Sequence, residues 1–282
     1  MPTIILSRSQ QFSLDKTLGC GQVFRWDRTD DGWWYGVVGD RVIRIRQDGR
    51  RLIFKGALAS FISHYFSLDM DLPSILSSID HDPIIHTSIS QNNGLRLIRQ
   101  PGWECLISYI CSTNSNIPMI RRRVATIAQQ YGNEITFEDK IYYTFPDPSS
   151  IACSGEHFHT RCNLGYRTPY VLDTAAEIAD TKKWEDTITS LSFEEARRVL
   201  MRLKGVGPKA ADCILLFAFQ KYEAFPVDVW IRRIMQQKYL PDLCAGSHLT
   251  SREYDAVRHF ARQHFGEYCG YAQEYLYAAR GG

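Results

Sequence analysis

The segment that most limits how this chain can fold is Leu203-Lys204-Gly205-Val206-Gly207-Pro208-Lys209. Two glycines two residues apart let the backbone reverse sharply without Cβ clashes, and Val206 between them can plug into a core. Pro208 suits the first turn of a helix, where its missing N–H costs nothing. Upstream, Ser192 and Glu195 form a capping box, and a helix is expected from there to about Leu203. Downstream, residues 210–219 are mostly apolar. The pattern predicts a helix-hairpin-helix over 192–219. Its turn aims backbone N–H groups outward at the positive end of the second helix, which suits a phosphate. Contact of that kind holds a nucleic-acid backbone without reading its sequence. Glycine is common in helix–helix turns, so the hairpin alone does not separate a DNA-binding element from an ordinary connection.

Lys209 falls in the first turn of the second helix. The helix dipole there opposes a positive charge, and apolar neighbours such as Val206 and Ile214 would desolvate it. A neutral, nucleophilic amine becomes more available. Out of context, a surface lysine touching phosphate is the simpler account. The next segment is Phe225-Pro226-Val227-Asp228-Val229-Trp230. Asp228 can cap the helix that follows, which contributes ~1 kcal/mol. A capping carboxylate is held rigidly, and a rigid anion can stabilise the positive charge that develops on a sugar as its glycosidic bond breaks.

The rest of the chain frames this hairpin. Short runs rich in aromatic and β-branched residues at 22–26, 33–38, 42–46 and 52–55 read as strands, with turn formers between them. Gly39-Asp40 suggests a two-residue hairpin with a primed turn, and short connections favour an antiparallel sheet. From about residue 57 the period becomes helical, with helices expected over 57–65, 84–92, 103–111, 119–131, 169–179, 251–263 and 268–279. The expected fold is α+β, an N-terminal antiparallel sheet domain over 1–95 packed on a mostly α body over 96–282.

Composition excludes little. The 282 residues are 44% hydrophobic and 23% charged, an ordinary globular balance. No apolar run approaches the ~20 residues needed to span a bilayer. The N-terminus has no charged segment leading into a long apolar one, so an intracellular setting is expected, cytoplasm or nucleoid, or the nucleus in a eukaryote. The net charge of +2 says little about nucleic acid. The clusters Arg121-Arg122-Arg123 and Arg232-Arg233 read as solvated helix faces. None of the eight cysteines forms a Cys-x-x-Cys pair, which argues against a zinc site and for free, mostly buried thiols.

Taken together, Leu-Lys-Gly-Val-Gly-Pro-Lys209-Ala-Ala-Asp-Cys and Phe-Pro-Val-Asp228-Val resemble the helix-hairpin-helix DNA glycosylases with a Gly/Pro-rich loop and an aspartate. Within that superfamily the chain is similar to the 8-oxoguanine DNA glycosylase/lyases. Gly21-Gln22-Val23-Phe24-Arg25-Trp26, Cys111-Ser112-Thr113-Asn114-Ser115-Asn116-Ile117, Leu164-Gly165-Tyr166-Arg167 and Gly270-Tyr271-Ala272-Gln273 match further motifs of the family, in its order and over nearly the whole chain. The resemblance implies a DNA repair enzyme that flips a damaged base from duplex DNA into a pocket.

It further implies roles. Lys209 attacks C1′ and forms a Schiff base, and Asp228 stabilises the developing charge. The backbone carbonyl of Gly21 accepts the N7 hydrogen that distinguishes 8-oxoguanine from guanine. Gln273 bonds the Watson–Crick edge, Cys213 and Tyr277 sandwich the base, and Pro226 joins the pocket wall. Asn114, Tyr166 and Arg167 fill and pry at the gap in the duplex, and Gly205 and Gly207 meet phosphate. Two positions depart from the pattern. Met119 replaces an arginine that many members use to read an opposite cytosine, so weaker discrimination among opposite bases is expected. Trp230 replaces a histidine that sits near a phosphate in several relatives. No catalytic metal is implied, although a monovalent cation at the hairpin carbonyls is, by analogy. Only Cys244 and Cys269 follow Asp228, so the iron–sulfur cluster of endonuclease III relatives is not expected. The partner implied is double-stranded DNA containing 8-oxoguanine, bound by a monomer. The rival readings are a monofunctional alkyl-purine glycosylase, which would generally lack Lys209, and a non-catalytic hairpin module, which would not need Gly21, Asp228 and Gln273 together.

Overall fold

A computed structural model of the chain describes residues 1–155, 157–243 and 249–281. Cys244 lies outside the described residues. Five strands, β1 (Thr3–Ile5), β2 (Trp26–Arg28), β3 (Trp34–Val38), β4 (Arg41–Asp48) and β5 (Arg51–Lys55), form an antiparallel sheet in the order β1-β5-β4-β3-β2. Two-residue turns at Gly39-Asp40 and Gly49-Arg50 join β3 to β4 and β4 to β5. Gly39 has φ +59° and Gly49 φ +55°, the left-handed backbone that such turns need at their first position. The strand expected over 22–26 begins only at Trp26. Residues 22–25 are instead fixed by the buried Gln22 side chain. Its amide donates to the carbonyls of Thr17 and Arg96, both at 2.9 Å, and accepts from the Ile98 N–H at 2.8 Å.

The sheet is hydrophobic on the face where Trp26, Trp34, Ile43, Ile45, Leu52 and Phe54 meet Ile62, Tyr65 and Phe66. Trp26 is fully buried and donates its indole N–H to the Tyr65 hydroxyl at 2.9 Å. Gly36 lies opposite Trp26 in the ladder, and a Cβ there would fall 2.2 Å from the indole. Gly36→Ala is therefore expected to lower stability by about 1–3 kcal/mol through overpacking, read as a fall in the thermal midpoint. Gly39→Ala meets no atom within 4 Å and carries only the strain of its positive φ.

The remaining elements are mostly helices, many bounded by side-chain caps. Asp82 caps Pro83–Gln91, Asn116 caps Ile117–Tyr131 and Thr250 caps Ser251–Phe265. Leu14–Gly19 and Leu72–Ile79, not anticipated above, are short helices started by Ser13 and Asp71. A small hairpin, Glu134–Phe137 with Lys140–Tyr143, turns through Glu138 and Asp139 at positive φ without a glycine to announce it. Glu138 there meets Arg44 at 3.2 Å and Lys55 at 3.0 Å on the sheet. One large apolar core joins the helices, from Leu72 through Leu276. Through it the Gly102–Ser112 helix packs on Pro208–Phe219, with Tyr109 stacked on Phe217. No helix among the described residues is long and apolar enough to cross a membrane.

Candidate active site

The helix-hairpin-helix forms as its residues predict. Ser192 and Glu195 make a reciprocal capping box on Phe193–Leu200, and Gly207 caps Pro208–Phe219 with Pro208 at its start. Only Gly205 needs its glycine for conformation, at φ +82°, and a Cβ there would also fall 2.9 Å from Tyr170. Val206 is buried in the core. At Gly207 a Cβ would meet nothing within 4 Å, so the backbone is open to close approach, as a phosphate or a monovalent cation requires.

Lys209 sits half-buried in the first turn, its Nζ 4.9 Å from the centre of the Tyr109 ring, within cation–π range. Cys213, one turn further along the same helix face, is buried. Burial pushes its thiol up to about 12; the Lys209 charge opposes that rise, while Asp212, Asp228 and Glu274 add to it. Asp228 is the N-cap of Val229–Lys238, and its Oδ1 accepts from the Ile231 N–H at 2.8 Å.

A buried network ties those elements together. Asp212, three residues after Lys209, pairs with Arg197 at 2.7 Å and Arg258 at 3.3 Å. The Tyr254 hydroxyl donates to Asp212 at 2.7 Å and accepts from the Val227 N–H at 3.3 Å, next to Asp228. Burial raises the Asp212 carboxyl, and the two guanidinium groups oppose that rise. A buried network of this kind fixes the relative position of the helix and the loop.

Of the residues implied in base recognition, Gly21 and Tyr277 lie against each other. Gly21 has φ +106°, and a Cβ there would lie 2.8 Å from Ile117 and 3.9 Å from the Tyr277 ring. Gln273 is 5% exposed, and its Oε1 has no hydrogen-bond partner among the described residues. A buried acceptor left unpaired costs ~1–3 kcal/mol unless something else meets it. The Arg280 guanidinium lies 3.7 Å from the centre of the Tyr277 ring and covers one of its faces. Pro226 is buried in the loop before Asp228.

The remaining residues lie on an exposed rim. Asn114 adopts φ +47° and donates to the Tyr166 hydroxyl at 3.4 Å. Tyr166 is about half exposed and donates to the Thr113 carbonyl at 3.2 Å. Arg167 is buried behind it, bonded to the Thr113 and Asn114 carbonyls with its guanidinium 4.3 Å from the Tyr166 ring. It holds the Asn114 turn from the inside. Met119 and Trp230 are exposed, each in the first turn of its helix, and Arg233 stacks on Trp230. Arg121 and Arg123 differ from the solvated face read above. Arg121 bonds the Trp26 carbonyl at 2.6 Å, and Arg123 bonds the Cys111 carbonyl and the Ser115 hydroxyl. Sequence reasoning did not single out Tyr109, Glu274 or Arg280. Tyr109 lies inside an apolar helix, and the other two gain meaning only from side chains brought near them by the fold.

Comparison with known proteins agrees with this fold. The family model for the 8-oxoguanine DNA glycosylase N-terminal domain matches residues 4–106. The chain is 33% identical to a probable N-glycosylase/DNA lyase of Methanothermobacter thermautotrophicus, over 77% of this chain and 72% of that one. It is 29% identical to N-glycosylase/DNA lyase OGG1 of Arabidopsis thaliana, over 95% and 77%. It superposes on the Clostridium acetobutylicum 8-oxoguanine glycosylase/lyase, solved with double-stranded DNA containing cytosine opposite 8-oxoguanine. The TM-score is 0.87 at 33% identity, over 95% of this chain and 91% of that one. The shared fold, an antiparallel sheet on a helical body, and 33% identity to such enzymes over most of both chains show that the chain belongs to the 8-oxoguanine DNA glycosylase/lyase family.

Proposed function

We propose that this protein excises 8-oxoguanine from duplex DNA and then nicks the strand through a Schiff base on Lys209. The observation that carries the reading is that Tyr254 ties the helix carrying Lys209, through Asp212, to the loop that ends on the capping Asp228, while a buried amide oxygen on Gln273 has no hydrogen-bond partner among the described residues. The flipped nucleotide places C1′ before the Lys209 amine. The amine forms a bond to C1′, and the glycosidic bond breaks with its electron pair leaving on the base, which takes up a proton. Asp228 stabilises the positive charge on the sugar in between. Opening of the sugar ring gives an iminium ion on Lys209. Loss of a 2′ proton then expels the 3′ phosphate by β-elimination. Gly21, Cys213, Pro226, Gln273 and Tyr277 would form the base pocket, and Asn114 and Tyr166 would occupy the gap in the duplex. Gly205, Gly207 and Trp230 would meet phosphates. One chain supplies all these groups, so a monomer suffices.

Met119 is exposed where an arginine would otherwise face the opposite base. A good bidentate contact is worth ~1–3 kcal/mol of discrimination, and a thioether offers none. Excision of 8-oxoguanine opposite cytosine and opposite adenine should therefore agree within about fivefold. Single-turnover assays on four duplexes, one for each opposite base, test both the activity and this selectivity. The reading predicts nicked product from the cytosine and adenine duplexes. Base release without nicking would favour a monofunctional glycosylase, and binding without release a non-catalytic module.

A further inference from the structure

Gln100 is a half-buried side chain that the proposed chemistry does not use, yet it bonds to both halves of the proposed site. Its backbone N–H donates to the Phe217 carbonyl at 2.9 Å, and its side-chain amide donates to the Gln22 carbonyl at 2.6 Å. Phe217 lies one turn beyond Cys213 and two turns beyond Lys209 on Pro208–Phe219, a spacing that keeps residues near one helix face. Gln22 directly follows Gly21. A single residue therefore joins the Gly21 turn to the helix that carries the amine. Its own backbone is stiff. Pro101 follows and disfavours a helical conformation at Gln100. Pro101 is also the N-cap of Gly102–Ser112, whose Tyr109 stacks on Phe217 at 6.0 Å between ring centres.

The tie gains force from the way Gln22 is held. The Gln22 side chain donates to the Thr17 and Arg96 carbonyls and accepts from the Ile98 N–H, which fixes its Cα from one side. Gln100 fixes its carbonyl from the other. With both held, the peptide that joins Gly21 to Gln22 can turn only about the N–Cα bond of Gln22. That peptide carries the Gly21 carbonyl. Gly21 itself sits at φ +106°, with Ile117 and Tyr277 at its flank.

Resting on the function proposed above, we propose that Gln100 is a positioning residue for base recognition: it holds the Gly21 carbonyl at a set distance and angle from the helix that carries Cys213 and Lys209. An acceptor that must tell an N–H from a lone pair depends on its aim, and a misplacement of about 1 Å can cost about 10²-fold. Removal of the amide donor frees the Gln22 carbonyl, and the Gly21 carbonyl swings with it.

The test compares two duplexes with the intact protein, one containing 8-oxoguanine and one a preformed abasic site opposite the same base. Nicking at an abasic site uses the Lys209 amine but offers the Gly21 turn no base to read. Gln100→Met keeps the length of the side chain and removes its donor. Gln100→Asn keeps the amide and draws it back by one methylene. Under single-turnover conditions each variant should lower 8-oxoguanine excision about tenfold or more, while nicking of the abasic duplex stays within about twofold of wild type. An equal fall on both duplexes would make Gln100 a support of the fold alone, and unchanged excision would leave its bond without a role; either result overturns the proposal. Thermal midpoints confirm folding, and if Gln100→Met does not fold, Gln100→Asn decides alone. Absence of any excision by wild type would instead overturn the function on which the proposal rests.

Discussion

Lys209→Gln should eliminate strand nicking and lower base excision by at least ~10³-fold, since the covalent route is lost with the amine. The substitution should leave the fold intact. Lys209 is only half-buried, makes no ion pair among the described residues, and touches Tyr109 by a cation–π contact worth ~0.5–1 kcal/mol. Binding to an 8-oxoguanine duplex should survive, because Gln273, Gly21 and the hairpin are untouched. Loss of turnover with retained binding separates a reacting group from a lysine that merely holds phosphate. Weakened binding with nicking preserved would assign Lys209 the lesser role.

Asp228→Asn is expected to reduce kcat for excision by ~10²–10³-fold with KM little changed, as befits a charge that acts on the transition state. Asparagine caps helices about as well as aspartate, so the bond to the Ile231 N–H can persist and stability should change by less than ~1 kcal/mol. Asp228→Ala should lose both the charge and the cap. The pair therefore divides the two roles of one carboxylate: Asn removes the catalytic one, and Ala removes the structural one as well. Comparable rates for Asn and wild type would leave only the cap.

Much of this site was legible in the sequence because its chemistry is tied to local signals. The hairpin follows from Gly205, Gly207 and Pro208, the first turn locates Lys209, and the cap locates Asp228. The sheet was legible for a similar reason, since Gly39 and Gly49 fix tight turns that set the register. Where the signal was not local, the reading failed. Gln22 looked like part of a strand, yet its side chain bonds segments far off in the chain. Glu138 and Asp139 turn a hairpin without glycine, and Arg121 and Arg123 bond backbone carbonyls that no helical pattern reveals. Glu274 carries no local signal that the fold buries it.

Borohydride reduction during turnover on an 8-oxoguanine duplex bears most directly on the central claim, that the Lys209 amine bonds C1′. A Schiff base is reduced to a stable amine, so the enzyme becomes covalently attached to DNA. Digestion and mass spectrometry of the adduct should find the modified residue at position 209, and Lys209→Gln should give no adduct at all. An adduct mapped to another amine, or one that forms undiminished in Lys209→Gln, would contradict the account.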